Sequence, residues 1–161
     1  MALPIIRLIE KRDNPNIALV IRQVLEDLGV PKVGTAYADS ALDCMFETYQ
    51  NPRTAYFVVE KNRVLLGGAG IAPLENYKGN ICELQKMYFI PEARGLGIGK
   101  QLMEFCIAKA REFKFDQIYL ETMEYMVPAQ KLYRKSGFDY IEGPIGNTGH
   151  FSCPVQMLKD L

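Results

Sequence analysis

With 161 residues, 48% of them apolar and 24% charged, the chain is long enough to bury a core without disulfides or metals and has the makeup of an ordinary soluble globular protein. Lysine plus arginine and aspartate plus glutamate number 19 each, and the resulting zero net charge removes the electrostatic basis for non-specific binding to nucleic acid or to an anionic membrane. No apolar run approaches the roughly 18 residues of a membrane span, and Met1 to Glu10 carries no leader pattern, so the expectation is a cytoplasmic protein.

Ile5 to Leu8 reads as a first strand. Asn14 followed by Pro15 predicts a helix start with Asn14 as N-cap, and Ile17, Val20, Ile21, Val24, Leu25 and Leu28 mark one face of that helix before Gly29 closes it. Ser40 with Asp43 predicts a capping box for a second helix whose inner face is Leu42, Met45, Phe46 and Tyr49. Ala55 to Glu60 and Val64 to Ile71 read as strands around the turn Lys61-Asn62-Arg63, and a third strand runs from Ile81 to Ile90. Ile98, Leu102, Cys106, Ala110 and Phe113 step by three or four, the spacing of a long amphipathic helix. Gln117 to Glu121, with Ile118 to Leu120 at its centre, reads as a short buried strand. Pro128 to Ser136 is a helix capped by Gly137, and Phe138 to Ile141 and Val155 to Leu158 close the chain as strands.

This order predicts an α/β chain with a mixed sheet and helices on its faces, one domain over residues 1–161, with no repeat and no linker. The cysteines Cys44, Cys82, Cys106 and Cys153 are far apart and among apolar neighbours, which predicts buried, reduced thiols. His150 is the single histidine, so no ligand set is spaced for zinc and no metal is expected. As a lone histidine in a polar loop it reads as surface. Tyr56, Phe57, Phe105 and Phe113 read as core.

The most informative stretch is Arg94-Gly95-Leu96-Gly97-Ile98-Gly99-Lys100, between a strand and a long helix. Alternating glycines let the backbone come close to a ligand, and the first N–H groups and dipole of the helix favour an anion there. Arg94 and Lys100 add cationic donors, so a phosphate or pyrophosphate is the natural guest. A Walker A loop would need glycine at Arg94 and a hydroxyl residue at Gln101, and a dinucleotide fingerprint would need glycine at Lys100. A kinase glycine loop joins two strands, whereas this one opens a helix.

Arg94, Gly97 and Gly99 match arginine or glutamine, two residues, glycine, any residue, then glycine or alanine. Upstream stands Glu83-Leu84-Gln85-Lys86-Met87-Tyr88-Phe89-Ile90-Pro91, and downstream Ala129-Gln130-Lys131-Leu132-Tyr133-Arg134-Lys135-Ser136-Gly137-Phe138. Together these resemble the GCN5-related N-acetyltransferases, the GNAT family, over roughly residues 65–141. The resemblance implies a mostly antiparallel sheet whose fourth and fifth strands splay apart to admit the pantetheine arm of acetyl-CoA. The cofactor-binding positions it implies are Met87, Tyr88 and Phe89 on the fourth strand and Arg94, Gly95, Leu96, Gly97, Ile98, Gly99 and Lys100 around the pyrophosphate. Many members carry asparagine where this chain has Met126, so that contact is not carried over.

Direct transfer to an amine needs a base, an oxyanion donor and an acid for the thiolate. Glu83 is the candidate base, alone or through an ordered water; the plain alternative is a glutamate paired with a basic neighbour. Tyr133 is the candidate acid, since a phenol stays protonated at neutral pH, with core packing beside Phe138 as its alternative. By the resemblance, residues 30–40 wall the acceptor pocket, where Tyr37 and Asp39 are placed to contact an amine. The expectation is an acetyl-CoA-dependent N-acetyltransferase, monomer or homodimer, with a non-catalytic acyl-CoA-binding module as the rival. The acceptor (small molecule or peptide) and the acyl length stay open.

Overall fold

The structure, a computed structural model, describes residues 2–149 and 151–161, and of Ala36 the backbone alone. Among the described residues, seven strands form one sheet: β1 (Ile5–Leu8), β2 (Ala55–Lys61), β3 (Val64–Pro73), β4 (Ile81–Phe89), β5 (Gln117–Thr122), β6 (Asp139–Ile141) and β7 (Val155–Asp160). Their spatial order is β1-β2-β3-β4-β5-β7-β6, and all neighbours are antiparallel except β4 and β5. Four α-helices accompany the sheet: α1 (Asn14–Asp27), α2 (Met45–Thr48), α3 (Ile98–Glu112) and α4 (Val127–Lys135).

Each face of the sheet buries its own apolar layer. On one face α3 seats Ile98, Leu102, Met103, Cys106 and Ala110 against Phe57, Ala69, Ile71, Leu84, Ile118 and Leu120, and α4 adds Tyr133. On the other, α1 and α2 seat Ile17, Ile21, Leu25, Met45 and Tyr49 against Tyr56, Val58 and Leu65. Fully burying such side chains contributes roughly 1.5–3 kcal/mol each, so the two layers fix which way every strand faces.

The decisive local feature lies in β4. Against β3 the register runs Gly67↔Phe89 and Gly68↔Tyr88, then jumps to Gly70↔Gln85, so β4 carries an extra residue. Lys86 takes it up with a left-handed φ of 52°, the mark of a bulge in a residue that rarely visits that region. Tyr56 pins the bulge: its ring crosses Gly68 and Gly70, where any Cβ would collide with it, and its hydroxyl donates to the Lys86 carbonyl at 2.8 Å. On the other edge, β4 and β5 pair in parallel only at Ile81↔Gln117, Cys82↔Ile118 and Glu83↔Tyr119, and then separate. The splayed pair that the resemblance implies is therefore present.

Several expectations are corrected. Asp13, not Asn14, stands at the N-cap of α1, while Asn14 ties α1 to α2 by accepting from the Phe46 N–H at 2.8 Å and donating to Glu47 at 2.9 Å. The second helix is broken into a 3-10 turn, Ser40–Cys44, and the single turn α2. Its cap is Asp39, whose carboxylate accepts from the Ala41 N–H at 2.9 Å, while Asp43 pairs with Arg22 instead. Phe105 is 44% exposed because it faces outward from α3, meeting the Phe57 ring only edge-on, and Phe113 is half-buried. Cys82 and Cys106 are buried as expected, but Cys44, at the end of the 3-10 turn, is exposed, and Cys153, before β7, is half-buried at the margin of the second apolar layer.

Removing the Tyr56 hydroxyl leaves the buried Lys86 carbonyl without that donor. Tyr56→Phe is expected to lower stability by about 1–3 kcal/mol in urea denaturation, the cost of a buried polar group deprived of its partner. A loss within error of zero would show that the bulge holds itself.

Candidate active site

Where β4 and β5 part, the chain opens a cleft that runs to the start of α3. A cavity of about 340 Å³ occupies it, lined by Met87, Tyr88 and Phe89 from β4, Glu121 and Thr122 from β5, the glycine loop, and Met126 and Tyr133. Past Glu83 no rung joins β4 to β5, so one edge of β4 faces this cleft rather than another strand.

At the cleft's end, Pro91–Ala93 forms a 3-10 turn and Arg94 folds back to donate to the Phe89 carbonyl at 3.0 Å, fastening the loop to the strand it leaves. Gly95 and Gly97 adopt φ of 78° and 75°, and a Cβ on either would meet nothing within 4 Å, so the backbone there is bare and open. Gly97 caps α3 without any side-chain hydrogen bond. The first helical N–H groups, of Ile98, Gly99 and Lys100, have no partner within the helix and emerge at that end with its positive dipole. Gly99 packs so closely on α4 that its Cβ would lie 3.1 Å from Leu132.

The cleft continues past this loop into a second cavity of about 940 Å³ between α3 and α4. Lys100, Arg111, Lys131, Lys135 and Lys159 line it against one carboxylate, Glu104. The predicted cofactor positions thus fall around one continuous cleft, with Lys100 in the second cavity. Leu96 lines neither cavity and is 60% exposed.

Tyr133 lies in the first cavity, 7% exposed, with its ring 6.1 Å from Phe138. Burial pushes its phenol up to about 12, so it stays protonated across the working range. The ring thus packs on Phe138, as the packing alternative expected, and its hydroxyl keeps its proton. Glu83 is 3% exposed and sits at the last β4–β5 rung. Its carboxyl accepts from the Gln85 amide at 2.7 Å. Burial lifts it from an ordinary value near 4.5 to about 7; the Gln85 hydrogen bond and Lys86 oppose the rise, and Glu121 and Glu75 add to it. Glu83 does not itself line the first cavity, whereas Glu121, two residues along β5 from its register partner Tyr119, does.

Sequence reasoning missed Glu121 and Lys86. Glu121 accepts from the Tyr119 hydroxyl at 2.8 Å and from the Thr148 hydroxyl. Lys86, its side chain 4% exposed, pairs with Asp39 at 2.9 Å and lines the cavity. Strand alternation from Tyr119 was the one signal for Glu121; the bulge that turns Lys86 inward left none. Asp39 thus reaches the site through Lys86, while the Tyr37 hydroxyl is engaged by Glu26 at 2.8 Å. At Met126, the position of the family asparagine, the sulfur accepts from the Thr122 hydroxyl at 3.4 Å and borders the cavity. The reading made for His150 lies outside the described residues.

Residues 21–138 match the model of the Acetyltransferase (GNAT) family. Over 159 residues the chain is 44% identical to YjgM of Escherichia coli strain K12, described as an uncharacterized N-acetyltransferase, covering 98% of this chain and 95% of that one. An acetyltransferase of the GNAT family from Staphylococcus aureus Mu50 has the same fold, with a TM-score of 0.87 at 22% identity over 99% of both chains. A phosphinothricin acetyltransferase from Sinorhizobium meliloti, solved with AcCoA, superposes with a TM-score of 0.78 at 23% identity over 98% of this chain and 88% of that one. The chain belongs to the GNAT family of acetyltransferases.

The raised Glu83 carboxyl couples stability to pH. The folded protein holds this proton more tightly than the unfolded chain, so the contribution is full below about pH 4.5 and is lost as pH rises to about 7, on the order of 3 kcal/mol. Glu83→Gln has no such proton to lose, so its melting temperature relative to wild type is expected to rise between pH 5 and pH 8. A difference that is flat with pH would contradict the burial argument.

Proposed function

We propose that this chain transfers the acetyl group of acetyl-CoA directly to a primary amine. The observation that carries the reading is the parting of β4 from β5 onto a helix N-terminus with uncapped donors. The bare edge of β4 pairs with the amides of the pantetheine arm, as a missing strand would. Backbone N–H groups of Gly95 through Lys100 hold the pyrophosphate, and the lysine-rich second cavity takes the adenosine end with its 3′-phosphate.

The chain's own groups then divide the proton work. Glu83, about half ionised at neutral pH, accepts the proton of the incoming ammonium through one water, which suits a carboxyl set back from the cavity wall. The amine nitrogen bonds to the acetyl carbon as the carbon–sulfur bond breaks. Fixed N–H groups on β4 stabilise the charge that builds on the acetyl oxygen. Tyr133 hydrogen-bonds the departing sulfur and gives it a proton, regaining one from solvent. Its raised pKa keeps it a donor, and makes transfer concerted with the growth of negative charge on sulfur.

Free-thiol release with a panel of primary amines tests the reading. Tyr133→Phe keeps the ring and its packing, and is expected to lower the rate by roughly 10²–10⁴-fold with little change in CoA affinity. Amine-independent CoA binding with no turnover on any amine would make the chain a binding module instead. Gly97→Asp, built into open space but placing charge at the loop, is expected to abolish CoA binding in titration calorimetry while the protein stays folded. CoA lacking its 3′-phosphate is expected to bind about tenfold more weakly and with a shallower salt dependence; equal affinities would move the adenosine end out of the lysine-rich cavity.

A further inference from the structure

Glu83 is the first member of a chain of side chains that leads out of the sheet. Glu83 and Gln85 lie on the same face of β4, two residues apart, and Tyr49 reaches them from just past α2. The Tyr49 hydroxyl donates to Gln85 Oε1 at 2.5 Å, and Gln85 Nε2 donates to Glu83 Oε1 at 2.7 Å. Tyr49 is 4% exposed and its ring rests at 5.1 Å from that of Tyr56, the residue that pins the bulge.

The observed hydrogen bonds give this chain a direction. A phenol presents one proton, and burial raises the Tyr49 pKa well above its ordinary value, so the hydroxyl keeps the proton it donates to the amide oxygen. With Tyr49 donating to the amide oxygen, the amide nitrogen is turned toward Glu83. In this arrangement Gln85 offers Glu83 a hydrogen-bond donor, which favours the ionised carboxylate.

We propose that Tyr49 and Gln85 form a positioning relay that orients the Glu83 carboxylate as proton acceptor and lowers its proton affinity. The inference rests on the reading of Glu83 as the base. Neither Tyr49 nor Gln85 exchanges a proton in the reaction: the amine's proton goes to Glu83, and the relay decides how tightly it is held. Among the described residues, Glu121 on β5, Glu75 after β3, and Lys86 on β4, itself paired with Asp39 from the segment before α2, also act on Glu83. None of them is altered by substitution at Tyr49 or Gln85.

The test is the titration of the Glu83 carboxyl in the intact protein, followed by carbon-13 NMR and assigned by its disappearance in Glu83→Gln. Gln85→Met keeps the length of the side chain and removes the donor; it is expected to raise the proton affinity of Glu83 about tenfold, the worth of one hydrogen bond to a charged group. Tyr49→Phe frees the amide to reverse and is expected to move it the same way by a smaller factor, a second reading should Gln85→Met fail to fold. Unchanged titration in the folded variants overturns the relay, whatever happens to activity. The acidic limb of the pH–rate profile is expected to move upward in step with the titration. A titration that moves while the limb stays put leaves the relay standing and removes Glu83 as the base.

Discussion

The parallel pairing of β4 with β5 lasts for three rungs and then stops, and the site is built from what that interruption leaves exposed. Backbone N–H and C=O groups in a sheet interior are normally paired, because leaving them without a partner away from water is costly. Here the bulge at Lys86 distorts β4 three residues beyond the last rung at Glu83, and the Tyr56 hydroxyl holds it through the Lys86 carbonyl. The freed edge lies in line with the glycine loop, because Arg94 bonds back to the carbonyl of Phe89. One irregularity in one strand thus supplies a slot, its polar lining, and its alignment with the N-terminus of α3.

Charge is distributed to match. The chain has no net charge, yet its ionisable groups are sorted along the cleft. Among the described residues, five cationic side chains against one carboxylate line the end between α3 and α4, while Glu83, Glu121 and Asp39 gather with the Lys86 ammonium where the strands part. A polyanionic ligand and a cationic one are thereby drawn to opposite ends of the same groove. Overall composition rules out a broad electrostatic surface and is silent about this sorting, which arises only when α3, α4 and β7 bring Lys100, Lys131 and Lys159 together.

What could be read beforehand follows the same division. The loop from Arg94 to Gly99 was legible because left-handed dihedrals at Gly95 and Gly97 and the close approach of Gly99 to Leu132 all demand the one residue without a side chain. The strands β2 to β5 and β7 were legible because each buries residues against an apolar layer, whereas the edge strands β1 and β6 bury none fully. The bulge was not, since it is carried by a lysine at φ 52°, and nothing in a lysine announces that conformation. The single-turn α2 was misread as a full helix because its apolar spacing is helical, while Asp39 caps a 3-10 turn that breaks it. Glu121 was passed over because a strand of six residues, mostly buried, offers few polar positions from which to infer a face. Phe105 reads as core because it is a large aromatic, although it shares the outward face of α3 with Gln101 and Lys109.

The short β4–β5 zipper also divides the molecule mechanically. On one side stand β1 to β4, on the other β5, β7 and β6, and across the sheet itself only three rungs join them. The rest of the attachment runs through the apolar layer under α3 and α4, the cluster of Leu74, Ile81 and Tyr119, and loop hydrogen bonds such as Asn147 N–H to the Glu75 carbonyl. A ligand seated in the cleft and hydrogen-bonded to both banks acts as a splint, replacing the rungs that the bulge removed. Cooperative unfolding of the two half-sheets is then set by occupancy, since a ligand bound by the folded state alone stabilises it in proportion to the logarithm of its concentration. In a cell, the supply of that ligand would govern how long the chain survives proteolysis as well as how fast it turns over.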